Sequence, residues 1–86
     1  MKISDKILIK SINKIMVFYP NFAEHTRKVG TDVVLTEWEC AMDRFDFKYT
    51  EEEFLKAIDL WICTQKEEPT IYDISWYIGI VKMIKS

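Results

Sequence analysis

Glycine and proline are scarce in this chain, two of each in 86 residues. An all-β fold of that length would need a turn about every ten residues, built largely on those two residue types, so the shortage excludes a sandwich or barrel. It also removes any glycine-rich phosphate cradle, and neither a Walker nor a dinucleotide pattern is present. A single histidine, His25, and two widely separated cysteines, Cys40 and Cys63, leave no set of zinc ligands. His25 stands beside Arg27 and Lys28 in a polar stretch and reads as a solvated side chain rather than as a catalytic base. No run of about 20 apolar residues is present to span a bilayer, and Asp5, Lys6 and Lys10 interrupt the opening "MKISDKILIK" where a leader would be apolar. The expectation is a cytoplasmic, non-enzymatic protein without cofactor or metal. Its cysteines read as small buried apolar residues in a reducing compartment.

What the chain does have is apolar and aromatic mass. A hydrophobic content of 49% with 14% aromatic supports a packed core and excludes disorder, and no linker divides the 86 residues, so residues 1–86 form one domain. The 12 basic and 14 acidic residues are intermixed, net -2, so no global field marks a dedicated nucleic-acid binder.

The periodicity predicts an all-α bundle of about four helices. Ser4 caps the first, which carries Leu8, Ile12, Ile15, Met16 and Tyr19 on one face and stops at Pro20. The stretch "NFAEHTRKVG" (21–30) has no period and reads as a loop pinned by Phe22, with room for a short helical turn. A second helix, capped by Thr31 or Asp32, runs to about Arg44 with Val34, Trp38, Ala41, Met42 and Phe45 inward. In the third, Thr50 and Glu53 form a capping-box pair, Phe54, Ala57, Ile58, Trp61 and Ile62 form the stripe, and Glu52 and Lys56 sit one turn apart on the wet side. The second and third helices are expected to pack antiparallel. Thr70 and Asp73 cap a fourth, Ile71 to about Lys85.

That last helix carries two apolar stripes. Ile74, Tyr77, Ile78, Val81 and Ile84 form the first; Tyr72, Trp76, Ile80 and Met83 form a second, displaced around the axis. A helix apolar on most of its circumference is either enclosed by its neighbours or offers its spare face to something else. Trp, Tyr and Met are enriched at partner surfaces, so Tyr72, Trp76, Ile80 and Met83 are the candidate partner-binding residues, for a foreign protein or a second copy. Lys6, Lys10 and Lys14 share one face of the first helix and are a possible phosphate contact, though solvated lysines opposite an apolar stripe are the ordinary reading.

With these residues in view, the chain resembles the small helical phage proteins that load and inhibit replicative helicases. The resemblance rests on "FYPNF" (18–22) with Tyr19, Pro20 and Phe22, on Trp38, on a third helix ending in an aromatic and Ile62, and on "EEPTIYDI" (67–74) with Pro69, Thr70, Asp73 and Ile74. It covers about residues 8 to 80 as an ordered set of short motifs. It implies a helical adaptor that binds a hexameric replicative helicase, restrains its ATPase and unwinding, and delivers it to an origin-bound initiator protein. By their chemistry the motif residues are structural: Pro20 ends a helix, Phe22 pins the stretch after it, and Pro69, Thr70 and Asp73 set the last helix. Family members use a flexible C-terminal tail for the helicase contact, whereas this chain stops at Ser86, just past the last helix, which shifts the expected contact to the second stripe. The alternatives are a self-associating or DNA-binding phage regulatory protein, or an inhibitor of a host helicase loader.

Overall fold

Five helices follow one another along the described residues, 3–85 with the side chain of Lys85 excepted, of the computed structural model; no strand occurs among these residues. The all-α expectation holds. The first helix, α1 (Asp5–Phe18), opens where the Ser4 hydroxyl accepts the N–H of Ile7, and it buries Leu8, Ile12 and Ile15 completely. Each such side chain removed from water contributes about 1.5–3 kcal/mol. Met16 is half-buried at the edge of the same face.

The stretch expected to be a loop is instead a second helix, α2 (Pro20–Val29). Pro20 does end α1, because the preceding Tyr19 is held extended (φ -128°, ψ 96°), as a residue before proline prefers. The same proline then occupies the first position of α2, where its missing N–H would have had no partner anyway. Phe22, Ala23 and Thr26 face inward at helical spacing, and Arg27 and Lys28 sit in the last turn, favourable for the dipole.

Gly30 joins α2 to α3 (Thr31–Met42) with φ +98°, a left-handed value suited to glycine. Its N–H donates to the Thr26 carbonyl (2.8 Å) and its own carbonyl accepts from Val33 (3.1 Å) and Val34 (3.3 Å), so one residue closes one helix and opens the next. Thr31 and Asp32 are therefore inside α3 rather than capping it. Val34, Trp38, Ala41 and Met42 are buried as expected, while Phe45 lies beyond the helix and is half-buried.

Residues 43–50 form an irregular connector with a ring cluster of its own. Phe45 stacks on Phe47 (5.4 Å between centroids), and both meet Tyr49, which is buried. Such a connector is no tight turn. It carries the chain away from α3, and the antiparallel pairing expected of the helices on either side does not form: α4 (Glu51–Thr64) packs on α5 (Ile71–Lys85) and α1, while α3 leans on α1, α2 and α5.

Both late helices open on the expected reciprocal caps. Thr50 and Glu53 exchange bonds of 2.9 and 3.1 Å, and Thr70 and Asp73 exchange bonds of 2.9 and 3.2 Å. Phe54, Ala57 and Ile58 of α4 and Ile74 and Ile78 of α5 complete the core; Trp61 and Ile62 are half-buried at its edge. The body measures 39 × 25 × 18 Å between Cα extremes. With packed helix axes about 10 Å apart, its thin dimension holds two layers, so no helix can be enclosed on every side.

Candidate partner-docking face

The two-layer thickness decides how α5 disposes of its two stripes. Ile71, Ile74, Ile78 and Val81 face the core, and Tyr77 meets α4, its ring edge-on to Trp61 at 5.0 Å and its hydroxyl accepting from Gln65 Nε2 at 2.8 Å. The opposite stripe has no layer above it. Tyr72 is 59% exposed, Trp76 73% and Met83 77%, with Ile80 half-buried beside them. Ile84, expected on the core face, is 73% exposed. It lies in the last turn, at the edge of the buried face, and with Lys56, Leu60 and Val81 it lines a cavity of about 230 Å³ between the two helices.

From Tyr72 to Met83 the stripe runs about 16 Å along the axis, at 1.5 Å per residue. A contiguous apolar surface containing an exposed tryptophan is unusual on a protein that meets only water. Gly79 lies inside the stripe, three residues after Trp76 and four before Met83, and a Cβ added there would meet nothing within 4 Å. This chain's own packing therefore does not require glycine at that position.

Beside the stripe, a groove of about 400 Å³ opens between α2, α3 and the start of α5. Phe22, Trp38 and Ile71 line it, Tyr72 forms its lip, and Glu37 and Glu68 stand at its rim, with His25 also alongside. Phe22 and Trp38 meet edge to face at 6.1 Å. The residues that carry the family resemblance thus gather in and near one region. Pro69 and Thr70 line the same groove, Asp73 caps α5 above it, and Ile74 is fully buried beneath. Tyr19, at the α1–α2 junction, is buried and its hydroxyl donates to the carbonyl of Gln65 (2.8 Å), closing the C-terminal end of α4. Loss of water around that phenol raises its pKa, with the nearby Cys63 and Tyr77 adding to the shift.

The other candidates are scattered. Lys6, Lys10 and Lys14 are exposed on α1 as expected, but Lys14 is paired with Asp59 of α4, which interrupts the basic face. His25 is exposed, on α2 rather than in a loop. Cys40 and Cys63 are free and exposed, contrary to the expectation of burial. Helical phase explains this: Trp38, Ala41 and Met42 take the inward positions of α3, and Phe54, Ala57 and Ile58 those of α4, which turns both thiols outward. Among the described residues, no three His, Cys, Asp or Glu side chains gather at metal-binding range, and no helix is long and apolar enough to cross a membrane.

Two features were missed by sequence reasoning. The groove needs α2 for one wall, and the signal for α2 was the pairing of an opening proline with a closing glycine. The ring cluster at Phe45, Phe47 and Tyr49 was visible as a period-two alternation of aromatics. No family model, no curated protein and no solved structure matches this chain.

Proposed function

We propose that this protein is a non-enzymatic replication adaptor that docks the outer stripe of α5, Tyr72, Trp76, Ile80 and Met83, onto a hexameric replicative helicase. The observation that carries the docking reading is the outward presentation of Trp76 and Met83 on a capped helix whose opposite face is fully buried. A large ring held on a rigid element delivers contact area at little entropic cost, which is why tryptophan so often dominates binding energy. The helicase as partner rests on the ordered motifs at residues 18–22, 38 and 67–74 and their resemblance to phage helicase loaders. In that role the protein restrains the helicase's ATPase and unwinding and hands it to an origin-bound initiator.

The test uses purified replicative helicase of the host and measures retention and ATPase rate with wild type, Trp76→Ala and Ile80→Asp. Trp76→Ala is expected to weaken retention about thirtyfold or more, about 2 kcal/mol, with helical circular dichroism unchanged. Retention of wild type and variant to the same extent would remove the stripe from the contact, and absence of retention by wild type would remove the helicase.

Gly79 favours a second occupant of the same stripe. A glycine at the centre of an apolar helix face lets another helix approach closely, and two copies of α5 crossing there would cover Trp76 and Met83 of each. A concentration-dependent dimer lost on Met83→Asp is the expected signature of that arrangement, and a monomer at every concentration rules it out.

A further inference from the structure

We infer that the groove between α2, α3 and the start of α5 takes an arginine side chain of the docking partner, placed between Glu37 and Glu68 and against the ring of Tyr72. This deepens the adaptor reading and rests on it for the partner being a protein; the groove's own chemistry does not depend on which protein that is.

Along α4 the carboxylates are engaged inside the chain: Glu51 accepts from the Ser4 N–H, Glu52 pairs with Lys56, Glu53 with Lys82 and Asp59 with Lys14. Glu37 of α3 and Glu68 of the segment before α5 both line the groove, and no ion pair or hydrogen bond engages either side chain among the described residues. The other titratable groups lining the groove are His25 and the Tyr72 phenol, with Asp73 close by in the α5 cap and Glu67 next in the chain. Lys66, the nearest lysine in sequence, lines a neighbouring cavity beside Tyr19 and Pro20; Glu68 borders that cavity as well as the groove, with no ion pair between the two side chains among the described residues. The rim is therefore acidic over an apolar floor.

The shape and lining then select the cation. The groove's walls are aromatic and aliphatic, with Phe22 and Trp38 at the floor and Tyr72 exposed at the lip. A lysine ammonium is a compact, strongly hydrated charge that gives up its water reluctantly in such surroundings. A guanidinium is flat, weakly hydrated, stacks on a ring and presents donors along several edges to two separate carboxylates. Tyr72 belongs at once to this groove and to the outer stripe of α5, so a segment lying along Trp76 and Met83 reaches the groove with a side chain one or two turns further on. The partner chemistry that fits is an apolar helix face followed by arginine.

The first measurement is a nuclear magnetic resonance titration of the whole chain with N-acetyl-arginine amide, N-acetyl-citrulline amide and N-acetyl-lysine amide as separate probes. Citrulline keeps the shape of arginine and removes its charge. Saturable shifts centred on Trp38, Tyr72 and their neighbours are expected with the arginine probe, at least about tenfold tighter than with citrulline or lysine, weakening as salt rises. The double variant Glu37→Gln, Glu68→Gln, which alters two exposed side chains, is expected to keep its helical spectrum and lose that preference. Equal affinity for arginine and citrulline, equal affinity for lysine, no saturable shift, or a preference surviving in the double variant would each overturn the inference. Helicase retention by the same variants separates the two ideas. Loss on Trp76→Ala with no effect of the double variant leaves the adaptor and removes the groove from its contact, whereas arginine binding that persists while Trp76→Ala leaves retention intact keeps the groove and removes the stripe.

Discussion

Helices α4 and α5 differ in length by one residue, 14 against 15, open on the same kind of reciprocal cap, and bury apolar stripes against each other, yet their outer faces are unlike. On α4 the outward residues are charged and paired over the first turns, Glu52 with Lys56 at 3.0 Å and Asp59 with Lys14, and the small side chains of Cys63 and Thr64 follow them. On α5 they are Tyr72, Trp76, Met83 and Ile84. Caps and inward stripes suffice to place both helices, so the outer face of each is free to answer another demand. For α4 that demand is solvation. For α5, solvation would have chosen other residues, and the difference between the two outer faces is the clearest functional signal in the molecule.

The contrast breaks most severely if the outer stripe proves to be core. Ile78→Ala removes a fully buried side chain from the inward face and is expected to cost about 2–5 kcal/mol, much of the stability of a domain this small. Trp76→Ala, though it deletes a far larger group, is expected to change folding stability by no more than about 0.5 kcal/mol, because the ring is mostly in water already. Denaturant unfolding followed by circular dichroism compares the two directly. Equal losses would assign Trp76 to the core and leave α5 without a docking face.

The same contrast explains what was legible in the sequence. The inward stripes of α1 and α4 and both caps could be read because each depends on spacing within one helix: Leu8, Ile12 and Ile15, or Thr50 with Glu53. The doubled stripe of α5 was legible too, but whether it was enclosed or free depended on the number of layers, which is a tertiary property. Ile84 went astray because its three-residue spacing from Val81 looked inward, yet at 3.6 residues per turn it lies about 120° around the axis from Ile78, at the edge of the buried face. The second helix was hidden because a proline that stops one helix is also well suited to start the next, and Pro20 does both. The groove was beyond sequence reasoning, since its walls come from α2, α3 and the segment before α5.

A smaller effect sharpens the contrast at Gly79. Glycine inside a helix is about 0.8–1.0 kcal/mol less favourable than alanine, and a Cβ here has open space around it. Gly79→Ala is therefore expected to stabilise the isolated chain by up to about 1 kcal/mol, a full 1 kcal/mol raising the melting temperature by about 4–8 °C and a smaller gain by proportionately less. The glycine is then a concession to something outside the monomer, in keeping with a helix laid closely across the stripe. A decrease in melting temperature would instead mean that α5 needs glycine for its own fold.

The smallest effect concerns the outer side of α4, where electrostatics rather than apolar contact meets the solvent. The Ser4 N–H donates to Glu51 Oε2 at 2.9 Å, tying the start of α4 to the residue that caps α1. That backbone bond, with a further contribution from the Ser4 side chain, holds the Glu51 carboxyl below its usual range. A carboxyl depressed in the folded state contributes stability that is present above its unfolded value of about 4.3 and is lost as pH falls through the lower folded value. Unfolding midpoints measured from neutral pH downward are therefore expected to decline through that acidic window in the wild type and to decline less in Glu51→Gln. The Ser4–Glu51 bond lies at the protein surface, so screening keeps the difference small and added salt reduces it further. Trp76→Ala should leave the shape of this profile untouched, because the outer face of α5 contributes no comparable charge. If it altered the acid profile as Glu51→Gln does, the two outer faces would be coupled, and the separation between a solvated helix and a docking helix would no longer hold.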